Sequence, residues 1–307
     1  MLQNLMRLNT LARSFPVLGV AAMLFGAGVE AAQAVQIGDP FTSTSMSISP
    51  SDDGIALASS IVGSGVSISN VNFVGGSGPL FSAGFFQDPS EVMGLNEGII
   101  LTSGDVNLAL GPNNSDSSTG FINTPGDADL DALIPGFSTL DSTVLEFDIT
   151  SATGDLFIQY SFASEEYNEF VNSNSNDVFG FFFEGTNIAL IPGTSTPVAI
   201  NNVNKNLNSG FYNNNDPSDL GIPTPFHIEY DGFTDVFTAK ATGLTPGQTY
   251  NLKLAIADAG DRTLDSAVFI KGISSVDPEP QATPEPATVA GLVALGLLGT
   301  RLKRKKA

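Results

Sequence analysis

Alternation of apolar and polar residues with period two is the feature that most limits how this chain can fold. Leu145, Phe147 and Ile149 alternate with Val144, Glu146 and Asp148; Leu156, Ile158, Tyr160 and Phe162 alternate with Phe157, Gln159 and Ser161. Tyr250, Leu252, Leu254 and Ile256 oppose Asn251 and Lys253. A strand turns successive side chains to opposite faces, so runs of this kind build sheets with one face in a core. Further strands are expected at Val66 to Val74, Gly98 to Thr102, Val178 to Phe183, Ile188 to Ile191, Phe226 to Tyr230, Val236 to Ala241 and Ala267 to Lys271. Around ten strands punctuated by Gly, Asn, Asp and Pro predict an all-β chain, a β-sandwich of jelly-roll kind. Val178 to Phe183 (VFGFFF) is apolar on both faces, which suits a central strand covered on both sides. The Asn-rich stretches Asn172 to Asp177 and Asn201 to Asp216 read as long surface loops.

The two ends carry a different signal. Arg7 and Arg13 followed by the apolar stretch Phe15 to Val29 and the A-x-A site Ala32-Gln33-Ala34 read as a secretory signal over residues 1–34, with Val35 the first mature residue. At the other end residues 277–286 (DPEPQATPEP) hold four prolines, which keep a linker extended and unable to join a sheet. Residues 287–300 are uncharged and apolar, and residues 301–307 hold five cations that suit the cytoplasmic side of a membrane. Pro284-Glu285-Pro286, a hydrophobic helix and a basic terminus, in that order, resemble the PEP-CTERM sorting signal of Gram-negative bacteria. That resemblance implies recognition and removal of the tail by an exosortase. Export through the Sec translocon and signal peptidase, transient inner-membrane association through 287–300, and a final place at the cell surface or in the extracellular matrix are the expectation.

The segment between the ends, residues 35–276, is expected to form one domain. Gly98-Ile99-Ile100-Leu101-Thr102-Ser103-Gly104, Gly126-Asp127-Ala128-Asp129-Leu130-Asp131, Phe162-Ala163-Ser164-Glu165-Glu166-Tyr167 and Asn176-Asp177-Val178-Phe179-Gly180-Phe181 follow one another along it. So do Ile256-Ala257-Asp258-Ala259-Gly260-Asp261 and Leu264-Asp265-Ser266-Ala267-Val268-Phe269. In this order they resemble the choice-of-anchor L domain, an extracellular domain joined to differing C-terminal anchors. The resemblance implies location and architecture rather than a chemistry.

Chemistry has to come from oxygen donors. The chain has no cysteine and one histidine, which argues against thiolate catalysis, histidine-based triads and multi-histidine metal sites. Of its 32 acids only Glu30 and Glu285 lie outside residues 35–283, where the cations are Lys205, Lys240, Lys253, Arg262 and Lys271 alone. Such a surface repels nucleic acid and attracts cations. Calcium takes several carboxylate and carbonyl oxygens, and the candidate ligands are Asp127, Asp129, Asp131, Glu165, Glu166, Asn176, Asp177, Asp258, Asp261 and Asp265. Asp127, Asp129 and Asp131 alternate and would share one side of an extended segment, although Ala132 and Ser138 stand where an EF-hand loop needs Gly and Glu. The competing use of Asp and Asn is to cap turns and end strands through their own backbone. His227, between Phe226 and Ile228, is expected to face solvent from a strand. Glu165 and Glu166, as neighbours, face opposite ways and do not make a glycosidase pair by themselves.

No enzyme is expected, but a surface or matrix component of structural or adhesive kind, with calcium as its one candidate cofactor. The alternative is a non-catalytic module that binds exopolysaccharide, and a glycan-active hydrolase stands behind it. The lack of Trp and the count of five Tyr leave few flat stacking platforms for sugars.

Overall fold

The structure, a computed structural model, describes residues 45–278. The expected signal sequence, sorting motif, terminal helices and basic tail lie outside them. Among the described residues no helix is long and apolar enough to cross a membrane.

In chain order the strands are β1 (Ser47–Pro50), β2 (Val66–Val74), β3 (Ala83–Gln87), β4 (Glu97–Thr102), β5 (Thr139–Ser151), β6 (Leu156–Ser164) and β7 (Val178–Phe183). They continue with β8 (Thr186–Asn187), β9 (Val198–Ala199), β10 (Tyr212–Asn214), β11 (Gly232–Thr234), β12 (Phe237–Ala241), β13 (Thr249–Ala259) and β14 (Ser266–Ser274). Among the described residues three short α-helices interrupt them: α1 (Gly54–Ile61), α2 (Ala128–Leu133) and α3 (Pro217–Leu220). All named strand pairs are antiparallel. One sheet runs β1-β3-β4-β14-β6-β11-β10, with β12 also on β6; the other runs β2-β5-β13-β7-β8, with β9 also on β7. The chain is an all-β sandwich.

The alternation seen in the sequence defines the space between the sheets. Leu145, Phe147, Ile149, Leu252, Leu254, Ile256, Phe179 and Phe181 of the second sheet meet Ile158, Tyr160, Phe162, Val268 and Ile270 of the first, all buried in one cluster. Burial of each such side chain contributes about 1.5–3 kcal/mol. β7 is covered on its other face too, because Val178 and Phe182 pack with Leu130 and Ile134 from α2 and its end. The outer face of the first sheet carries a third cluster around Phe86, Phe269, Tyr230 and Phe233. Helix α1 is absent from the sequence reading. Asp53 caps it, accepting from the amides of Ile55 and Ala56, and Leu57, Ala58 and Ile61 enter the core.

Three expectations need correction. Phe226–Tyr230 is not a strand: the side chain of Asn215 receives Phe226 N–H and donates to the carbonyls of Ile228 and Tyr230, taking the place of a neighbouring strand. His227 is exposed, as expected, but from this irregular segment. Ile188–Ile191 is likewise irregular, since Asn187 Oδ1 accepts from both Phe181 N and Ala189 N and turns the chain after two residues of β8. The Asn-rich stretches are not simply surface loops. Asn204 and Asn215 are fully buried, Asn176 nearly so, and each bonds backbone groups that would otherwise be unpaired.

Candidate functional site: a buried acidic end of the sandwich

Four core-facing lines of side chains change from apolar to acidic or hydroxylic at the same end. On β13 the inward series Leu252, Leu254, Ile256 continues to Asp258, beside an irregularity in the β5–β13 register. On β7 the residue before the strand, Asp177, precedes the inward Phe179 and Phe181. On β6 and β14 the inward series end at Ser164 and Ser266, which face each other in register. Ser266 Oγ donates to Asp177 Oδ2 at 2.6 Å and lies 2.9 Å from Ser164 Oγ, so one hydroxyl ties the two sheets together. Ala259 N–H donates to Asp177 Oδ1 at 2.9 Å.

Glu165 and Glu166 follow β6 immediately and do diverge. Glu166 faces Asp177 and Asp261, whereas Glu165 faces Asp231, Glu229 and Asp265 on the outer side of the first sheet. An inner acidic layer (Glu166, Asp177, Asp258) thus backs onto an outer one (Glu165, Asp231, Asp265). All six are buried, with relative exposures of 0–1 %. No donor closes a hydrogen bond of good geometry on either carboxylate oxygen of Glu165, Glu166 or Asp258, although the Ser118 backbone, Ser175 and Ser103 approach them in turn, and Asp231 Oδ2 and Asp265 Oδ1 are also without one. Asp265 Oδ2 accepts from Gly120 N–H at 2.7 Å.

Desolvation is the largest influence on every one of these groups. Burial, then Asp231 and Glu229, pushes Glu165 up to about 11. Burial holds Asp231 and Asp265 up to about 8 against the hydrogen bonds from Asn113 and Gly120. Burial, then Asp177 and Asp265, raises Asp258 well above the carboxylate range, and burial also raises Glu166 and Asp177. Arg262 is the cation at this end and it binds Asp141 and the Thr124 carbonyl. A buried carboxylate without cation or donor costs several kcal/mol, so these groups either hold protons or face a bound cation.

The other expected ligands serve the backbone. Asp127 caps α2, accepting from Asp129 N and Leu130 N; the extended segment expected there is helical, because that cap starts a turn whose Leu130 packs on β7. Lys253 on β13 pairs with Asp127 at 2.6 Å and Asp129 at 2.7 Å, and Asp131 accepts from Thr139 N and Oγ1 at 2.7 Å. Asn176 Oδ1 accepts from Asn201 N at 3.1 Å. Asp261 is exposed, bonds Thr263 N and Oγ1, and stands at the rim of the inner layer. Sequence reasoning missed Asp231, Asp216, Asp116 and Glu229. Glu229 and Asp231 flank the buried Tyr230 in a segment read as an alternating strand, where an acid on each side of an apolar residue passes for the solvent face.

A separate open cleft of about 750 Å³ lies between Gln159, Ile191, Pro192, Phe237 and Lys240. Its ionisable groups are Lys240 and Asp277, paired at 2.8 Å.

A family model, that of the choice-of-anchor L domain, matches residues 46–276. The chain belongs to this family. No curated protein and no solved structure matches it. Membership places the choice-of-anchor L chain among exported or surface-associated proteins. Within this choice-of-anchor L domain the segments Gly98–Gly104, Phe162–Tyr167, Asn176–Phe181, Ile256–Asp261 and Leu264–Phe269, far apart in sequence, meet at the acidic end and supply most of its groups.

Proposed function

We propose that this protein is a structural or adhesive component of the bacterial surface or extracellular matrix, whose domain takes up calcium at its acidic end. The observation that carries the proposal is the pair of buried carboxylate layers, with three side chains to which no donor closes a hydrogen bond of good geometry. Hard divalent cations prefer such all-oxygen surroundings, and a site built from the ends of strands in both sheets would lock the sheets together. A domain folded in this way would mature outside the cell, where calcium is plentiful. The charge of the chain and the secretory character of residues 1–34 support that order of events.

Thermal unfolding of the purified chain in calcium and in excess chelator tests the reading. Calcium at 100 times its dissociation constant contributes about 2.7 kcal/mol, which for a domain of this size raises the midpoint by about 5–10 °C. Equal midpoints would overturn it.

Delivery belongs to the same proposal. Pro284-Glu285-Pro286, the apolar run and the basic end support sorting by an exosortase after Sec export. The mass of the protein recovered from the surface should correspond to a chain that begins at Val35 and lacks residues 287–307. Recovery of the intact tail would contradict the sorting step. A second reading, non-catalytic binding of exopolysaccharide, is favoured by the 750 Å³ cleft, whose mixed polar and apolar lining suits a sugar chain. A glycan array probed with the protein separates this from a purely structural coat.

A further inference from the structure

At the edge of the outer layer, Asp116, Asp216 and Asp231 bring one carboxylate oxygen each to within 4.8 Å of one another, the one such trio among the described residues. Three oxygens at that limit have a common centre about 2.8 Å from each, so a shift of a few tenths of an ångström brings all three to the calcium–oxygen distance of about 2.3–2.6 Å. The trio is assembled from distant parts of the chain. Asp231 precedes β11, Asp216 follows β10, and the two strands pair through Asn214 and Gly232. Asp116 comes from the long connection between β4 and α2.

Two of the three carboxylates are fully buried and one is exposed. Asp231 Oδ1 accepts from Asn113 Nδ2 at 2.7 Å, and the same amide group donates to the Asn215 carbonyl, which fixes the orientation of the pair. Asp231 Oδ2 is buried and has no hydrogen-bond partner. Asp216 uses Oδ1 to receive Ser218 and Asp219 and is otherwise touched by Asn168 at 3.2 Å. Lys205, which could neutralise the group, is paired with Asp219 at 2.9 Å instead. Three converging carboxylates, one with an orphaned buried oxygen and none with a cation, make a socket for a single hard ion.

We infer that Asp116, Asp216 and Asp231 form a second calcium site, which shares only Asp231 with the outer buried layer and is open to solvent on the Asp116 side. The inference rests on the proposed function only for the choice of calcium as the ion. Calcium takes six to eight oxygens, and three carboxylates leave positions for water on the exposed side. Those positions make the site one where the hydroxyl or carboxylate oxygens of an external ligand can join the ion.

Calorimetric titration of the purified chain with calcium, on the wild type and on Asp116→Asn and Glu166→Gln, tests it. Asp116 is exposed, so its substitution leaves the fold intact. Asp116→Asn is expected to lose one equivalent of calcium, or to weaken it at least tenfold, while Glu166→Gln keeps that equivalent. An Asp116→Asn protein that binds every equivalent with unchanged affinity overturns this site and leaves the buried layers as they were. Glu166→Gln keeping every equivalent while Asp116→Asn loses one supports this site and removes the inner layer as a binding centre. A wild type that takes up no calcium overturns both. Asp231→Asn supplies an independent sign. It should lower the unfolding midpoint in calcium, where it removes a ligand, by more than it changes the midpoint in chelator; a change of equal size in both media would contradict the inference.

Discussion

The carboxylate of Asp265 occupies the space that a Cβ at Gly104 would fill. Gly104 follows β4 and Asp265 precedes β14, strands that are neighbours in the first sheet, so the lack of a side chain at one position sets the place of an acid at the other. Gly104→Ala should therefore push Asp265 out of the outer layer, at a cost of about 1–3 kcal/mol for the overpacked site. The diagnostic readout is the calcium-induced rise in midpoint, which should shrink with the substitution. An undiminished rise would show that Asp265 takes no part.

The pH dependence should change sign with calcium. Without the ion, Asp231 and Asp265, with folded values raised to about 8, hold protons in the folded chain that the unfolded chain releases near pH 4. Stability that depends on those protons is complete below pH 4, declines as pH rises, and is lost once pH has passed through about 8. With calcium bound, the ion and the proton compete for the same oxygens, so stability should fall on acidification instead. Chemical unfolding at pH 5, 7 and 9 in chelator and in calcium reads both slopes, and parallel slopes would refute the competition.

Lys253→Met should destabilise without touching calcium uptake. The ammonium joins β13 to α2 through Asp127 and Asp129, and charge-assisted hydrogen bonds of this kind are worth about 1.5–3 kcal/mol. Since Asp127, Asp129 and Asp131 serve α2 and its surroundings, calcium affinity should remain that of the wild type. A gain in affinity or an added equivalent of calcium would return the aspartates freed from Lys253 to the list of ligands.

Tyr167→Phe isolates a single buried hydrogen bond. Tyr167 Oη donates to the Val203 carbonyl at 2.7 Å, fixing the Asn-rich segment beside the acidic end. Leaving that carbonyl unpaired should cost about 1–3 kcal/mol, measured as a lower urea midpoint at unchanged slope.

Much of the sandwich could be read from alternation. β2 and β7 have the expected limits, and the inward residues of β5, β6 and β13 are those that the period picks out. Alternation fails where side chains stand in for a partner strand, as Asn215 does along Phe226–Tyr230. It also fails for α1, whose eight residues are too few for a helical period to stand out. At the site, Asp258 and Asp177 were legible because each extends an apolar inward series by one more step. Asp231 and Asp216 were not, because their nearness depends on the pairing of two three-residue strands, β10 and β11, that no pattern in the sequence announces.

The last strand of the domain is also one of its most enclosed. β14 runs between β4 and β6, bonded along both flanks, and the chain leaves the fold within a few residues of Ser274. Tension drawn through that end would load two ladders of hydrogen bonds in shear, so that they must rupture together instead of unzipping one at a time as an edge strand would. The C-terminal boundary of the domain is therefore its most strongly held point against a pull along β14.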